Sequence, residues 1–323
     1  MRVDHYRPRD GRFHELDLHP TIGSRTGLTT CPMFFSAGTR YTSSIMATRI
    51  LICPPTYYAV NYEINPWMTR NVGYQAPDAK RQWDRFIEIL RCAGDVQLET
   101  IEPRPNVPDL VFTANAALIS GKLAIVSSFR YPQRRVEQGA YRAWLARNGF
   151  ATTFLQQTFF EGAGDALFDR RRPMLYVGYG WRTERSASIQ LSETLNVRTL
   201  PLLLVDERFY HLETCLCPLA SGHVMAFMDA FSPHAQQLLR RTIEPEYLIP
   251  VGLDDALALA CNAVEVDDAI VLHSASPALR DRLNAAGYRV FQTDLSEFHR
   301  AGGSAKCLTL KLDDGPAVAE VAA

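Results

Sequence analysis

From residue 46 onward, short runs of apolar residues rich in β-formers alternate with stretches in which apolar positions recur at helical spacing. Residues 48–53 predict a buried strand halted by Pro54-Pro55. Residues 78–93 place Trp83, Phe86, Ile87 and Leu90 on one helix face before Gly94. Two strands follow, 110–119 and 123–127, joined at Ser120-Gly121, and then a helix over 136–148 that stops at Gly149. The unit recurs with strands at 166–168 and 174–178, a helix at 186–195 and a strand at 199–205. A third round has strands at 210–219 and 223–227, a helix capped by Ser232 with Pro233 at its start, and a strand near 247–251. A fourth has a short helix at 254–260, strands at 263–266 and 269–273, a helix at 276–286 and a strand at 289–293. A last strand, 306–312, ends the pattern. Hairpin, helix and strand, repeated about every fifty residues, is a supersecondary repeat able to close into a ring. In a closed ring the strand ends converge on one axis, where residues from distant repeats can meet.

Residues 1–45 mix Arg, Asp, His, Gly, Thr and Ser without sustained periodicity. They are expected to be an extension, either disordered or lying before a native start at Met46. The division predicted is therefore an extension over 1–45, a single catalytic α/β domain over 46–314, and a tail over 315–323.

The 34 Lys and Arg nearly balance the 35 Asp and Glu, so no overall field draws the chain to nucleic acid or an anionic membrane. No apolar run approaches the ~20 residues of a membrane span. The seven cysteines are an odd number without secretory patterning, which points to reduced thiols in a cytoplasm. Cys215 and Cys217 are expected to be buried strand thiols, since no Cys/His set with zinc spacing accompanies them.

Polar residues stand where a packed core would choose apolar ones: Phe112-Thr113-Ala114-Asn115, Phe160-Glu161-Gly162-Ala163-Gly164-Asp165, His211-Leu212-Glu213-Thr214 and Gly302-Gly303-Ser304-Ala305-Lys306-Cys307. Burying such groups is costly unless they pair with each other or with a ligand, so together they predict a polar pocket. The glycine pair delivers Cys307 into an apolar strand as a candidate nucleophile, which needs a base or cation to become a thiolate. His211, with Glu213 on the same strand face, is the candidate acid/base. Glu161 is the candidate partner that holds the imidazole protonated. Asp165 suits either the site or a Gly-Asp turn that bonds its own backbone. Arg134 and Arg182, in loops after strands, are either solvated or a pair that grips a carboxylate.

These four motifs, with Pro108-Asp109-Leu110-Val111 preceding the first, resemble the guanidine-modifying superfamily of arginine deiminases, dimethylargininases, amidinotransferases and arginine dihydrolases. The resemblance covers residues 46 to about 312. It implies a five-bladed α/β-propeller, the pentein fold of ββαβ units, with no metal or organic cofactor. Carried over by position, Cys307 resembles the nucleophile, His211 the acid/base and Glu161 its partner. Glu213 stands where relatives usually have Asp against the guanidinium. Arg134 and Arg182 match holders of the substrate carboxylate, and Asn65 a pocket residue. Asn115 stands where deiminases place a carboxylate; an amide offers both donor and acceptor, so it suits retention of a ureido intermediate for a second attack. The motif wording is most similar to stand-alone arginine dihydrolases, which implies a small guanidino amino acid as partner, with oligomeric state open. The alternatives are deimination to citrulline, hydrolysis of dimethylarginine, amidino transfer, and a binding module without catalysis.

Overall fold

The computed structural model describes residues 47–315 except Asn71, Val72 and Tyr74. The expectations for residues 1–45 and for the tail from 316 lie outside the described residues. In chain order the elements are β1 (Thr48–Ile52), α1 (Ala76–Ala93), β2 (Val96–Thr100), β3 (Ala117–Ser120), β4 (Leu123–Val126), α2 (Pro132–Arg147) and β5 (Ala151–Phe154). Next come β6 (Ala166–Phe168), β7 (Met174–Tyr179), α3 (Arg185–Leu195), β8 (Arg198–Leu203), β9 (Leu216–Pro218), β10 (Val224–Ala226), α4 (Pro233–Thr242) and β11 (Leu248–Pro250). The chain continues through α5 (Leu253–Leu257), β12 (Val264–Val266), β13 (Ala269–Leu272), α6 (Pro277–Ala285), β14 (Arg289–Gln292), α7 (Ser296–His299) and β15 (Leu310–Lys311).

The strands form five three-stranded sheets, ordered β15-β1-β2, β3-β4-β5, β6-β7-β8, β9-β10-β11 and β12-β13-β14. In each, the middle strand runs antiparallel to the first and parallel to the third. A parallel return needs a crossover, and a helix supplies it. This is the five-bladed α/β-propeller of ββαβ units. One blade joins the first and last strands of the described residues, pairing Ile50 with Lys311 and Leu51 with Leu310. The middle strands β4, β7, β10 and β13 are apolar and largely buried, as at Ala124, Ile125 and Val126 or Ile270, Val271 and Leu272, because both faces pack against neighbouring layers, whereas β1 opens on half-buried Thr48 and Arg49 before its buried Ile50-Leu51-Ile52. Among the described residues, no helix is long and apolar enough to cross a membrane.

Several elements depart from the sequence reading. Residues 110–119 and 210–219 are not continuous strands: 3₁₀ turns at Pro108–Val111, Thr113–Ala116 and Leu212–Thr214 come first, and only β3 and β9 pair. Their apolar residues are buried by packing at the axis, and a short apolar run does not tell strand from turn. The expected strand over 306–312 shrinks to Leu310–Lys311, leaving Cys307 in a turn. Helix α2 begins at Pro132, so Arg134 lies in its first turn and not in a loop. The outer strands β2 and β5 went unread because their half-exposed sequences, VQLET and ATTF, lack a buried apolar run.

Candidate active site at the inner end of the blades

Immediately before the first strand of each blade the chain makes a tight turn, and hydrogen bonds link these turns into a ring. Asn115 Nδ2 donates to the Glu161 carbonyl at 3.3 Å, and Leu212 N–H to Asp165 Oδ1 at 3.0 Å. Asn262 Nδ2 lies 3.4 Å from the Glu213 carbonyl, and Lys306 N–H donates to the Asn262 carbonyl at 3.1 Å. Ala114 N–H closes the circle on the Cys307 carbonyl at 3.2 Å. Groups more than a hundred residues apart are thus fixed against each other by backbone that must satisfy its own hydrogen bonds. His211, Glu161, Glu213 and Asn115 sit on these turns, each 1% exposed or less.

Cys307 Sγ donates to Glu213 Oε1 at 2.8 Å and accepts from Asn262 Nδ2 at 3.1 Å. Burial and the Glu213 carboxylate hold the thiol well above its ordinary pKa, and burial likewise raises Glu213. The second Glu213 oxygen has no hydrogen-bond partner and lies 3.8 Å from Lys306 Nζ. The longer glutamate side chain is what reaches the sulfur.

His211 Nε2 meets Glu161 Oε2 at 2.7 Å. Glu161 Oε2 also accepts from Arg182 Nη1 at 3.1 Å, and Oε1 from the Arg130 N–H at 3.2 Å. Although burial opposes it, Arg182 and the imidazole hold Glu161 far below the usual carboxylate range. Burial, aided by the Arg182 and Arg134 charges, outweighs Glu161 at the imidazole and lowers His211 to about 4. Both shifts favour the neutral forms, an imidazole bonded to Glu161 and a thiol bonded to Glu213.

Arg134 and Arg182 both line the cavity, buried, with their guanidinium groups already engaged. Arg134 binds Glu137 bidentately, both contacts at 2.8 Å, and its Nη1 donates to Asn115 Oδ1 at 2.8 Å. That contact fixes the Asn115 amide with its NH₂ toward Glu161. Arg182 also donates to the Ile64 carbonyl at 3.1 Å and stacks between Tyr131 and Tyr210. Asn65 Nδ2 donates to the Ala301 carbonyl at 3.0 Å, tying its loop to the glycine-rich segment.

The cavity is bounded by Ile64, Asn65, Asp109, Asn115, Arg182 and Cys307 among others, and its free volume of about 10 Å³ is on the scale of one water molecule. Glu161 and Glu213 stand just behind this lining, bonded to Arg182 and Cys307 in turn, and His211 is joined to it by way of Glu161. Asp165 accepts from the Leu212 N–H of the neighbouring blade's turn and not from its own backbone as its Gly-Asp context suggested, and its Oδ2 lies 4.0 Å from His211 Nε2. Sequence reasoning missed Asn262, Glu137 and Tyr210, the last of which donates to the Gly302 carbonyl at 3.0 Å. Asn262 carried a signal, a lone amide in Leu-Ala-Cys-Asn-Ala-Val just before a predicted strand, as Asn115 is before Ala-Leu-Ile. Chemically, the arrangement offers a thiol beside a carboxylate, an imidazole anchored by an ionised acid, and an amide with donor and acceptor at one small cavity.

A family model described as N,N dimethylarginine dimethylhydrolase, eukaryotic, matches residues 58–313. The bifunctional arginine dihydrolase/ornithine cyclodeaminase AgrE of Nostoc sp. is 42% identical over 82% of this chain, which spans 38% of that protein's length. ArgZ of Synechocystis sp., with the same pair of activities in its name, is 41% identical over the same shares. N(G),N(G)-dimethylarginine dimethylaminohydrolase of Mycobacterium tuberculosis is 36% identical over 82% of this chain and 85% of its own. Among solved structures, the N-terminal domain of ArgZ, as a cysteine-to-serine variant bound to substrate, superposes with a TM-score of 0.81 at 40% identity, covering 83% of this chain and 99% of that one. An asparagine-to-serine variant of that domain, covalently bound to a reaction intermediate, superposes equally well, at 39% identity over 84% of this chain and 100% of the other.

Proposed function

The chain belongs to the dimethylarginine dimethylhydrolase family, and from that premise we propose that residues 46–314 form a catalytic unit that hydrolyses free arginine twice, to ornithine, two ammonia and carbon dioxide. The observation that carries the reading is Asn115: at the cavity wall nearest the Glu161 and Arg134 groups, the chain presents an amide instead of a carboxylate. The names of the 42% and 41% identical relatives support the dihydrolase activity; the proposal takes nothing from the cyclodeaminase half of those names.

Cys307 is the nucleophile in this reading. Burial and Glu213 favour the neutral thiol, and the arriving guanidinium brings the positive charge that favours ionisation of both Cys307 and Glu213. Sulfur attacks the guanidino carbon and its proton passes through His211 to the departing amine, so a C–S bond replaces a C–N bond and ammonia leaves. Ionised Glu161 stabilises the imidazole while it carries that proton. Water activated by His211 then cleaves the C–S bond and leaves a ureido group. A carboxylate facing the ureido oxygen would repel it, whereas the Asn115 amide can donate to it and hold it for a second attack. That attack releases the second ammonia, and hydrolysis yields a carbamate that decomposes to ornithine and carbon dioxide. Glu213 and the wall of Asn65, Arg134 and Arg182 orient the substrate, which must displace part of that wall to enter so small a cavity. A reactive thiol without a disulfide framework suits a cytoplasmic setting.

Dimethylarginine is the second reading, favoured by the family model and by the Mycobacterium relative, of which this chain covers nearly the whole length. Product analysis with arginine and dimethylarginine side by side separates the two. Ornithine with two ammonia per arginine is expected. Citrulline accumulating without ornithine removes the second step, and faster release of dimethylamine than of ammonia replaces the substrate.

A further inference from the structure

We infer that Asn262 is an activating residue for Cys307, holding the turn that presents the sulfur and donating a hydrogen bond to the sulfur itself. The inference rests on the reading of Cys307 as nucleophile and adds a residue to it. Asn262 is fully buried, in the turn before β12. Its Oδ1 accepts from two backbone donors, the Ser304 N–H at 3.1 Å and the Cys307 N–H at 3.0 Å. Two donors on one side fix the amide: the NH₂ cannot occupy that position, so it must face the sulfur, 3.1 Å away. The Asn262 carbonyl also accepts from Lys306 N–H, so three links secure residues 304–307.

A donor at this distance favours thiolate over thiol, because a hydrogen bond to a charged acceptor is stronger than one to a neutral one. It is also placed to offset the group that opposes ionisation. Glu213 faces the sulfur from the neighbouring turn, balanced only in part by Lys306 at 3.8 Å from its far oxygen. Tyr210 and, across the cavity, Asp109, Arg134 and Arg182 are the remaining titratable or charged groups on its walls. Asn262 reaches the sulfur from the turn before β12, its Nδ2 also 3.4 Å from the Glu213 carbonyl, and brings no charge of its own.

The test is alkylation of Cys307 by iodoacetamide, followed by peptide-resolved mass spectrometry so that Cys92 and the buried thiols are counted separately, from about pH 7 to 10. Because no guanidino substrate is used, the result does not depend on whether arginine or dimethylarginine is turned over. Removing a hydrogen bond to a charged group lowers the ionisation constant about 10- to 100-fold. Since a weaker acid is a better nucleophile once ionised, the alkylation rate at fixed pH should fall about three- to tenfold.

Two variants divide the roles. Asn262→Asp keeps the acceptor that holds the turn but loses the N–H toward sulfur, and Asn262→Ala loses both. If Asn262 acts on the sulfur, the Asp and Ala variants both show the slowed rate and an alkylation profile displaced to higher pH; a displacement in the Asp variant alone is the work of its new buried carboxylate and overturns the inference. If the Asp variant alkylates with the unmodified profile while the Ala variant does not, Asn262 only holds the turn and the inference fails. Should the Ala variant not fold, Asn262→Leu, uncharged and of similar volume, takes its place.

Discussion

Asn115→Asp should separate the two hydrolytic steps. The substitution preserves shape and strengthens the contact with Arg134 Nη1, which meets Oδ1 at 2.8 Å, so the wall should stay in place. It removes the donor that now reaches the Glu161 carbonyl at 3.3 Å and puts an oxygen there. Toward a guanidinium the new carboxylate is an acceptable or better neighbour, so the first attack should keep its rate within about tenfold. Toward a ureido oxygen it withdraws a hydrogen bond and adds repulsion, together about 1.5–3 kcal/mol, or roughly 10- to 100-fold in the second step. The assay follows arginine, citrulline, ornithine and ammonia in one time course, then repeats it with citrulline as sole substrate. Ammonia per arginine should move from two toward one as citrulline accumulates, and turnover of added citrulline should fall by the same factor. A variant that still consumes arginine and yields ornithine with only trace citrulline would refute the role given to the amide.

Glu137→Gln breaks a bidentate buried pair and leaves Arg134 with Asp109 as its remaining carboxylate, 3.7 Å away. The expected loss is about 3–5 kcal/mol, a fall of about 10 °C in melting temperature; a calorimetric shift of only a degree or two would show that the pair contributes little. The buried histidines should cost the fold stability in acid. Burial lowers His211 to about 4 and His299 to about 3 from 6.5, so the unfolded chain takes up protons the folded one refuses. Stability is then full above pH ~6.5 and lost progressively as pH falls toward those depressed values, by a few kcal/mol. Because burial raises Glu137 to about 7 and also raises Asp109, Asp165 and Glu213, which favour the fold as pH falls, the check is by difference: His299→Gln should lose less melting temperature between about pH 7.5 and 5 than the unmodified protein, and an identical fall would contradict the depressed value. Gly303→Ala would drive a Cβ into the Phe112 ring and displace the segment that carries Cys307. Overpacking should cost about 1–3 kcal/mol of stability, with a disproportionate loss of kcat that Phe112→Leu partly restores; an unchanged kcat would show that the loop has room.

What could be read in the sequence follows from how each residue is buried. Glu161, His211 and Asn115 stood out because ionisable or amide groups amid apolar neighbours are costly in a packed core unless paired, and Cys307 because a glycine pair precedes it. Four of the middle strands were legible for the converse reason, being apolar on both faces. Glu137 was hidden because in Arg-Arg-Val-Glu-Gln it resembles an ordinary solvated helix face; only the start of α2 at Pro132 turns Arg134 and Glu137 inward as an i,i+3 pair. The periodicity also failed at the 3₁₀ turns, where apolar side chains pack into the axis and the polar ones lock neighbouring turns.

Those turns explain why residues that are scattered in sequence can form one centre. Each blade brings a turn to the same place, and its backbone there cannot finish its hydrogen bonds within its own blade. The neighbour must complete them, through the Asn115 side chain, the Asp165 carboxylate or the Asn262 amide. The same ring that satisfies the backbone therefore sets the distances from Cys307 to Glu213 and from His211 to Glu161. A polar side chain that looks structural at one turn and chemical at the next is doing one job in two settings. Asp165 binds a backbone N–H, whereas Asn262, an equal link by position, also reaches the sulfur.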